Sequence, residues 1–140
     1  MSALPQSARE LIESGALAHL ATVNEDGSPQ VTCIWVGLDG DEIVSAHLNP
    51  DQRKLRNVRR DPHVAMTLEG QGANPVGMQD HLVIYGEARL QEGGGPELLH
   101  RLAQIYVGPG TKFPPTDDPP PGVVMRTTVT RVTGHGPWAS

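Results

Sequence analysis

Two short apolar runs, Leu17 to Val23 and Val31 to Val36, are separated only by Asn24-Glu25-Asp26-Gly27-Ser28-Pro29. No crossover helix fits between them, so the runs must pair antiparallel. Asp26-Gly27 favours positive φ and predicts a hairpin. Leu38-Asp39-Gly40-Asp41 repeats the device ahead of Glu42 to His47, and the spacing predicts a three-stranded meander. Further strands are expected at His63 to Leu68, at His81 to Leu90 (the longest) and at Val123 to Val132, with a loop over Gly70 to Gly77. Helices are expected over Ser7 to Ser14, where Ala8, Leu11 and Ile12 recur at helical spacing, and between Pro50-Asp51 and Asp61-Pro62. A third follows Gly93-Gly94-Gly95-Pro96 and carries Leu98, Leu99, Leu102, Ile105 and Tyr106, spaced to bury one face. The strands are not separated one by one by helices, which disfavours a parallel Rossmann sheet. The pattern predicts an α+β fold, a small six-stranded antiparallel barrel with short flanking helices.

The 140 residues suit one domain, residues 1–140. No apolar run approaches the ~20 residues needed to cross a bilayer, so no membrane partner is expected. Met-Ser-Ala-Leu-Pro-Gln at the start has neither the basic region nor the apolar stretch of a secretory leader, and a cytoplasmic location is the default expectation. Cys33 is the one cysteine, which excludes an internal disulfide framework; its expected role is a small buried hydrophobe. With Phe113, Trp35, Trp138, Tyr85 and Tyr106 as the only aromatics, a lone barrel has little bulky core. Burial against a second copy, a homodimer, is expected.

A net charge of -5 argues against a nucleic-acid protein, yet Arg53, Lys54, Arg56, Arg59 and Arg60 supply five of the 11 basic residues within one stretch. At about 100° per residue, Arg53, Arg56, Asn57 and Arg60 cluster on one helical face with Lys54 at its edge. Such a face can hold a phosphate: lysine as a point charge, arginine as a planar donor fork, asparagine as a neutral amide donor. A solvated basic surface would show the same charges. No aromatics interleave with them for base stacking.

Gly93 to Gly95 lacks the dinucleotide fingerprint spacing, and Gly108-Pro109-Gly110 lacks the following Lys-Ser or Lys-Thr of a phosphate loop. The six histidines show no His-x-x-x-His or His-Glu-x-x-His spacing, so no metal site is expected. No Gly-x-Ser-x-Gly elbow signals a serine hydrolase. Gly108 to Gly122 holds six prolines and reads as a flap whose Lys112 can meet an anion and whose Phe113 offers a flat apolar contact.

The order of Leu17 to Val23, Asp26-Gly27-Ser28-Pro29-Gln30-Val31, the strand ending Ser45-Ala46-His47, and Arg53-Lys54-Leu55-Arg56-Asn57-Val58-Arg59-Arg60-Asp61-Pro62 resembles the pyridoxamine-phosphate-oxidase-like split-barrel family. The short chain and the ending Gly134-His135-Gly136-Pro137-Trp138 are similar to its flavin/deazaflavin oxidoreductases that use coenzyme F420. The resemblance implies a six-stranded split β-barrel, a homodimer, and a cofactor in a groove between subunits. Lys54 and Asn57 would hold the cofactor phosphate with Arg53 or Arg56 assisting. Val31, Thr32, Ser45 and His47 would line the ring and ribityl chain, and Trp138 would close the pocket. Trp35 is assigned to a barrel or dimer contact. The implied activity is hydride transfer from reduced deazaflavin to an unsaturated small-molecule substrate. The alternatives are an FMN-binding oxidase, reductase or electron-transfer protein, and a non-enzymatic cofactor or tetrapyrrole carrier. The longer C-terminal region with which pyridoxamine-phosphate oxidases grip their substrate is missing, which speaks against vitamin B6 oxidation.

Overall fold

A computed structural model describes residues 4–139. Met1 to Ala3, which entered the argument against a secretory leader, and Ser140 lie outside the described residues. The elements are α1 (Gln6–Ile12), β1 (Ala18–Val23), β2 (Pro29–Ile34), β3 (Gly37–Asp39), β4 (Glu42–His47), α2 (Arg53–Arg60), β5 (His63–Ala73), β6 (Gln79–Glu92), α3 (Gly95–Tyr106) and β7 (Val123–His135). The strands form one antiparallel sheet in the order β2-β1-β5-β6-β7-β4-β3.

Seven strands, not six, make this sheet, and the expected meander is absent. The hairpins β1–β2 and β3–β4 stand at opposite ends of the strand order, and among the described residues no β2–β3 pairing closes it. The apolar run that reads as one strand is broken at Trp35 and Val36. There the backbone is satisfied from far along the chain. The Tyr106 hydroxyl accepts from Val36 N at 3.0 Å and lies 2.7 Å from Ala16 O, to which it donates, with Val36 O farther away at 3.3 Å. A side chain thus replaces the ladder where the chain leaves one end of the sheet for the other.

β6 is the longest strand, as its pattern indicates, and it pairs with both β5 and β7. Its register with β7 shifts between Tyr85 and Gly86. A side chain at Gly86 would place Cβ 2.5 Å from Thr128 O, so the bulge depends on glycine there. β5 runs on to Ala73, further than expected, because the turn is made by Asn74: its Oδ1 accepts from Val76 N and Met78 N.

Leu20, Leu68, Leu82 and Ile84 from the inner sheet face, Ala8 and Ile12 from α1 and Leu55 from α2 are all fully buried in one core. α3 lies on β4 and buries Leu102 and Ala103. Ile105, expected to be buried, is 46% exposed and abuts Gly15. Cys33 is also a correction: it lies exposed on β2, because the alternation of the strand puts it with Pro29 and Val31 on the exposed face and turns Ile34 into the core.

Removing the Tyr106 hydroxyl leaves Val36 N and Ala16 O without their partner while keeping the ring. Tyr106→Phe is expected to cost about 1–3 kcal/mol of stability, measured by urea unfolding. An unchanged midpoint would remove the hydroxyl from the account of the crossover.

Candidate functional site

The helix α2 has two demands on its orientation, and the apolar one prevails. Leu55 and Val58 point into the core at 0% and 4% exposure. Lys54, about 40° from Val58 on the helix, is buried on the same side, and Asn57 is buried on the flank beyond it, while Arg53, Arg56, Arg59 and Arg60 stay exposed. The face expected from charge alone is therefore divided. Asn57 Nδ2 donates to Thr22 Oγ1 and Asn24 Oδ1, both at 3.0 Å. Both amide protons are thereby used within the protein. Asn57 Oδ1 accepts from Arg60, whose other guanidinium nitrogen donates to Val23 O, and Thr22 Oγ1 donates to Gln30 Oε1 at 2.8 Å. Asn57 and Arg60 thus fasten α2 to the β1–β2 hairpin. Arg59 donates to Pro50 O at 2.9 Å.

Lys54 follows a different course. It is 9% exposed, and among the described residues no carboxylate forms an ion pair with it. Burial lowers its pKa from the usual lysine value, with the nearby Cys33 acting weakly in the other direction. Lys54 lines a cavity of about 280 Å³ together with Cys33, Trp35, His47, Leu99 and Phe113, while Leu17, Ile34 and Ala46 complete the wall. Its partner from β4 is His47, whose Nε2 lies 2.9 Å from Ser45 Oγ. Burial, helped by the Lys54 charge, pushes the His47 pKa down to about 4, so the imidazole is neutral at pH 7. Trp35 stacks on Tyr106 with centroids 5.2 Å apart and planes at 12°, and meets Phe113 at 5.4 Å.

The structure thus brings His47 and Lys54 together, sets Ser45 behind the imidazole, and keeps Asn57 on the same helix but engaged elsewhere. Arg53 and Arg56 are exposed, and Arg56 projects about 200° away from Lys54. Val31 is 64% exposed on β2; Thr32 alternates to the opposite face and is half-buried. Trp138 does not line this cavity. It is buried in the core, with Nε1 donating to His81 O at 2.9 Å and its ring against Gly136 and Gly70. Lys112 forms an exposed pair with Asp117 at 2.6 Å. The sequence reading did not assign Cys33, Leu17 or Leu99 to this cavity. Only Leu99 left a signal, as one of the apolar positions on α3. Among the described residues no group of three or more His, Cys, Asp or Glu side chains could hold a metal, and no helix is long and apolar enough to cross a membrane.

The sequence pattern of the pyridoxamine 5'-phosphate oxidase family matches residues 4–136. An F420 reductase superposes with a TM-score of 0.74 at 27% identity, over 93% of this chain and 98% of its own. A conserved protein of Mycobacterium tuberculosis gives 0.69 at 23% identity, over 96% of this chain and 87% of its own. HupZ of Group A Streptococcus gives 0.66 at 19% identity, over 98% of both chains. These last two show the shared fold alone. No curated protein gives a match.

Because the His47 pKa is lower in the folded chain than in the unfolded one, the unfolded state binds more protons between about pH 6.5 and 4. Stability contributed by the neutral imidazole is full above pH 6.5 and is lost as pH falls towards 4. The loss amounts to about 3 kcal/mol from this group alone. His47→Gln should flatten that part of the pH–stability curve in denaturant titrations. A curve identical to the parent's would remove His47 as its source.

Proposed function

The chain belongs to the pyridoxamine 5'-phosphate oxidase family, and from that premise we propose that it is an oxidoreductase that holds coenzyme F420 through its phosphate and reduces an unsaturated small molecule. The observation that carries the reading is Lys54, a buried cation without a carboxylate partner at an aromatic-walled cavity. A charge so placed is costly until an anion arrives from outside the chain. The F420 reductase at 27% identity supports the choice of deazaflavin. FMN on the same lysine is the second reading, because it too is a tricycle with a ribityl chain and a phosphate.

The residues fit such a group. Lys54 would meet the phosphate, and Arg53, about 100° round the helix, would stand at the rim. Trp35, Phe113 and Leu99 would exclude water from the flat part of the ligand. The bound deazaflavin or flavin supplies the hydride chemistry, which leaves binding, orientation and desolvation to the protein. His47, neutral at pH 7, is suited to hydrogen bonding and not to carrying a proton as imidazolium. Its bond to Ser45 fixes the ring and leaves Nδ1 for a ligand.

Val31 on the edge strand and Tyr85 on β6 are exposed on the outer sheet face, supporting the further proposal that a second copy covers this face. Sedimentation should give a dimer of the 15.0 kDa chain. A monomer that binds cofactor with full affinity would contradict it.

Protein purified from a host that makes both cofactors should release F420, identified by absorbance and mass, and should then catalyse hydride transfer to added enones or quinones. Release of FMN would favour the second reading; cofactor without turnover would indicate a carrier. Lys54→Met should weaken cofactor binding by about 1.5–3 kcal/mol and raise the stability of the ligand-free protein. Arg59→Ala, whose parent side chain is bonded to Pro50 O, should leave affinity nearly unchanged. Equal affinities for parent and Lys54→Met would defeat the phosphate assignment.

A further inference from the structure

The protein supplies a limited positive charge beside the cavity, and the limit is set by its own hydrogen bonds. The titratable side chains on the wall are Cys33 from β2, His47 from β4 and Lys54 from α2. Leu99 from α3 and Phe113 from the flap add none. β1 and β6, which pack against α2, turn Leu20, Thr22, Ile84 and Ala88 inward, and none of these ionises. Asn57 has no amide proton left, and Arg60 is held by Asn57 and Val23. Arg53 and Arg56 are in solvent, where their charges are screened. Among the described residues of the chain, Lys54 remains as the buried positive charge on the cavity wall.

We propose that this cavity is charge-matched to a singly ionised phosphodiester and discriminates against a doubly ionised terminal phosphate. The inference rests on the phosphate reading of Lys54 given above. A phosphodiester carries one negative charge and is neutralised by Lys54. A terminal phosphate carries a second ionisation near pH 6, and above it one negative charge would be left without a buried counter-charge. In the ligand-free chain burial, helped by the Lys54 charge, keeps the His47 imidazole uncharged down to about pH 4, so the cavity itself brings no second positive charge. A diester also needs a path for its second arm. Arg53 is exposed about 100° round α2 from Lys54, and an anionic arm leaving the cavity on that side would meet it in solvent. The discrimination favours the phosphodiester of F420 over the terminal phosphate of FMN.

The test compares riboflavin, FMN and the methyl phosphodiester of riboflavin on the full chain, with affinities taken from flavin fluorescence at pH 5 and pH 8. The diester should bind equally within about twofold at both values, a control for any change in Lys54 or elsewhere. FMN should match the diester at pH 5 and fall to at least tenfold weaker at pH 8. FMN binding as well as the diester at pH 8, or better, would overturn charge matching while leaving the phosphate site intact. Both phosphorylated ligands binding no better than riboflavin, with Lys54→Met equal to the parent, would overturn the phosphate reading and the inference with it.

Discussion

The docking of α2 through Leu55 and Val58 controls what the rest of the molecule can do. Lys54 is adjacent to Leu55 in sequence and one turn before Val58, so burying those two side chains removes the lysine from water as well. The hydrophobic gain from two large apolar side chains, about 1.5–3 kcal/mol each, outweighs what the ammonium loses as long as its stem lies on apolar surface. The arginines at 53, 56 and 60 fall on the opposite arc and keep their hydration, and Arg59, about 40° from Leu55, stays exposed with its guanidinium on Pro50 O. A helix with a strongly basic sequence is thereby sorted into one buried cation and an exposed set. Functional geometry in this chain is a by-product of core packing.

Much of the architecture was legible because it depends on local chemistry. Asp26-Gly27 and the Gly40 turn make their hairpins, Asp61-Pro62 ends α2, and the long alternation of β6 survives into the structure. The order of these signals also carried the family resemblance. What escaped was set by distant partners. Nothing near Val36 shows that its N–H will be met by a hydroxyl 70 residues later, so the broken run read as one strand and its hairpins were joined into a meander. Charge alone grouped Asn57 with Arg53, Arg56 and Arg60, whereas the structure turns Asn57 inward to Thr22 and Asn24. Cys33 read as a core residue from its type, whereas its exposure follows from the face of β2 on which it falls, opposite to the buried Ile34. Trp138, which the resemblance placed over a pocket, has its ring on Gly70 and Gly136, where the absence of side chains admits it.

The pairing of Lys54 with His47 also fixes the polarity of the cavity. A histidine ionised at neutral pH would double the positive charge, and a carboxylate in its place would cancel it. A buried imidazole beside an ammonium can do neither, since desolvation and repulsion both favour its neutral form. Ser45 completes this arrangement by occupying Nε2, so the ring has one defined hydrogen-bonding edge to offer. The site therefore combines one fixed charge with an uncharged polar partner and apolar walls, a composition suited to a ligand whose anionic part is small compared with its flat body.

The walls themselves trace back to α3. Tyr106 at its C-terminal end holds the Ala16 and Val36 backbone and stacks on Trp35, while Gln104, two residues earlier, holds the flap: its Nε2 donates to Thr111 O at 2.8 Å and its Oε1 accepts from Gly110 N at 2.7 Å. Phe113, two residues beyond Thr111, then meets Trp35 from the flap side. Both aromatic walls are thus referenced to one helix, and that helix is seated on β4, the strand that also carries Ser45 and His47. Displacement of α3 along β4 would move Trp35 and Phe113 together relative to His47. The aperture of the cavity is a property of the α3–β4 contact, which explains how a flap with six prolines and little secondary structure can still hold an aromatic ring in a defined place.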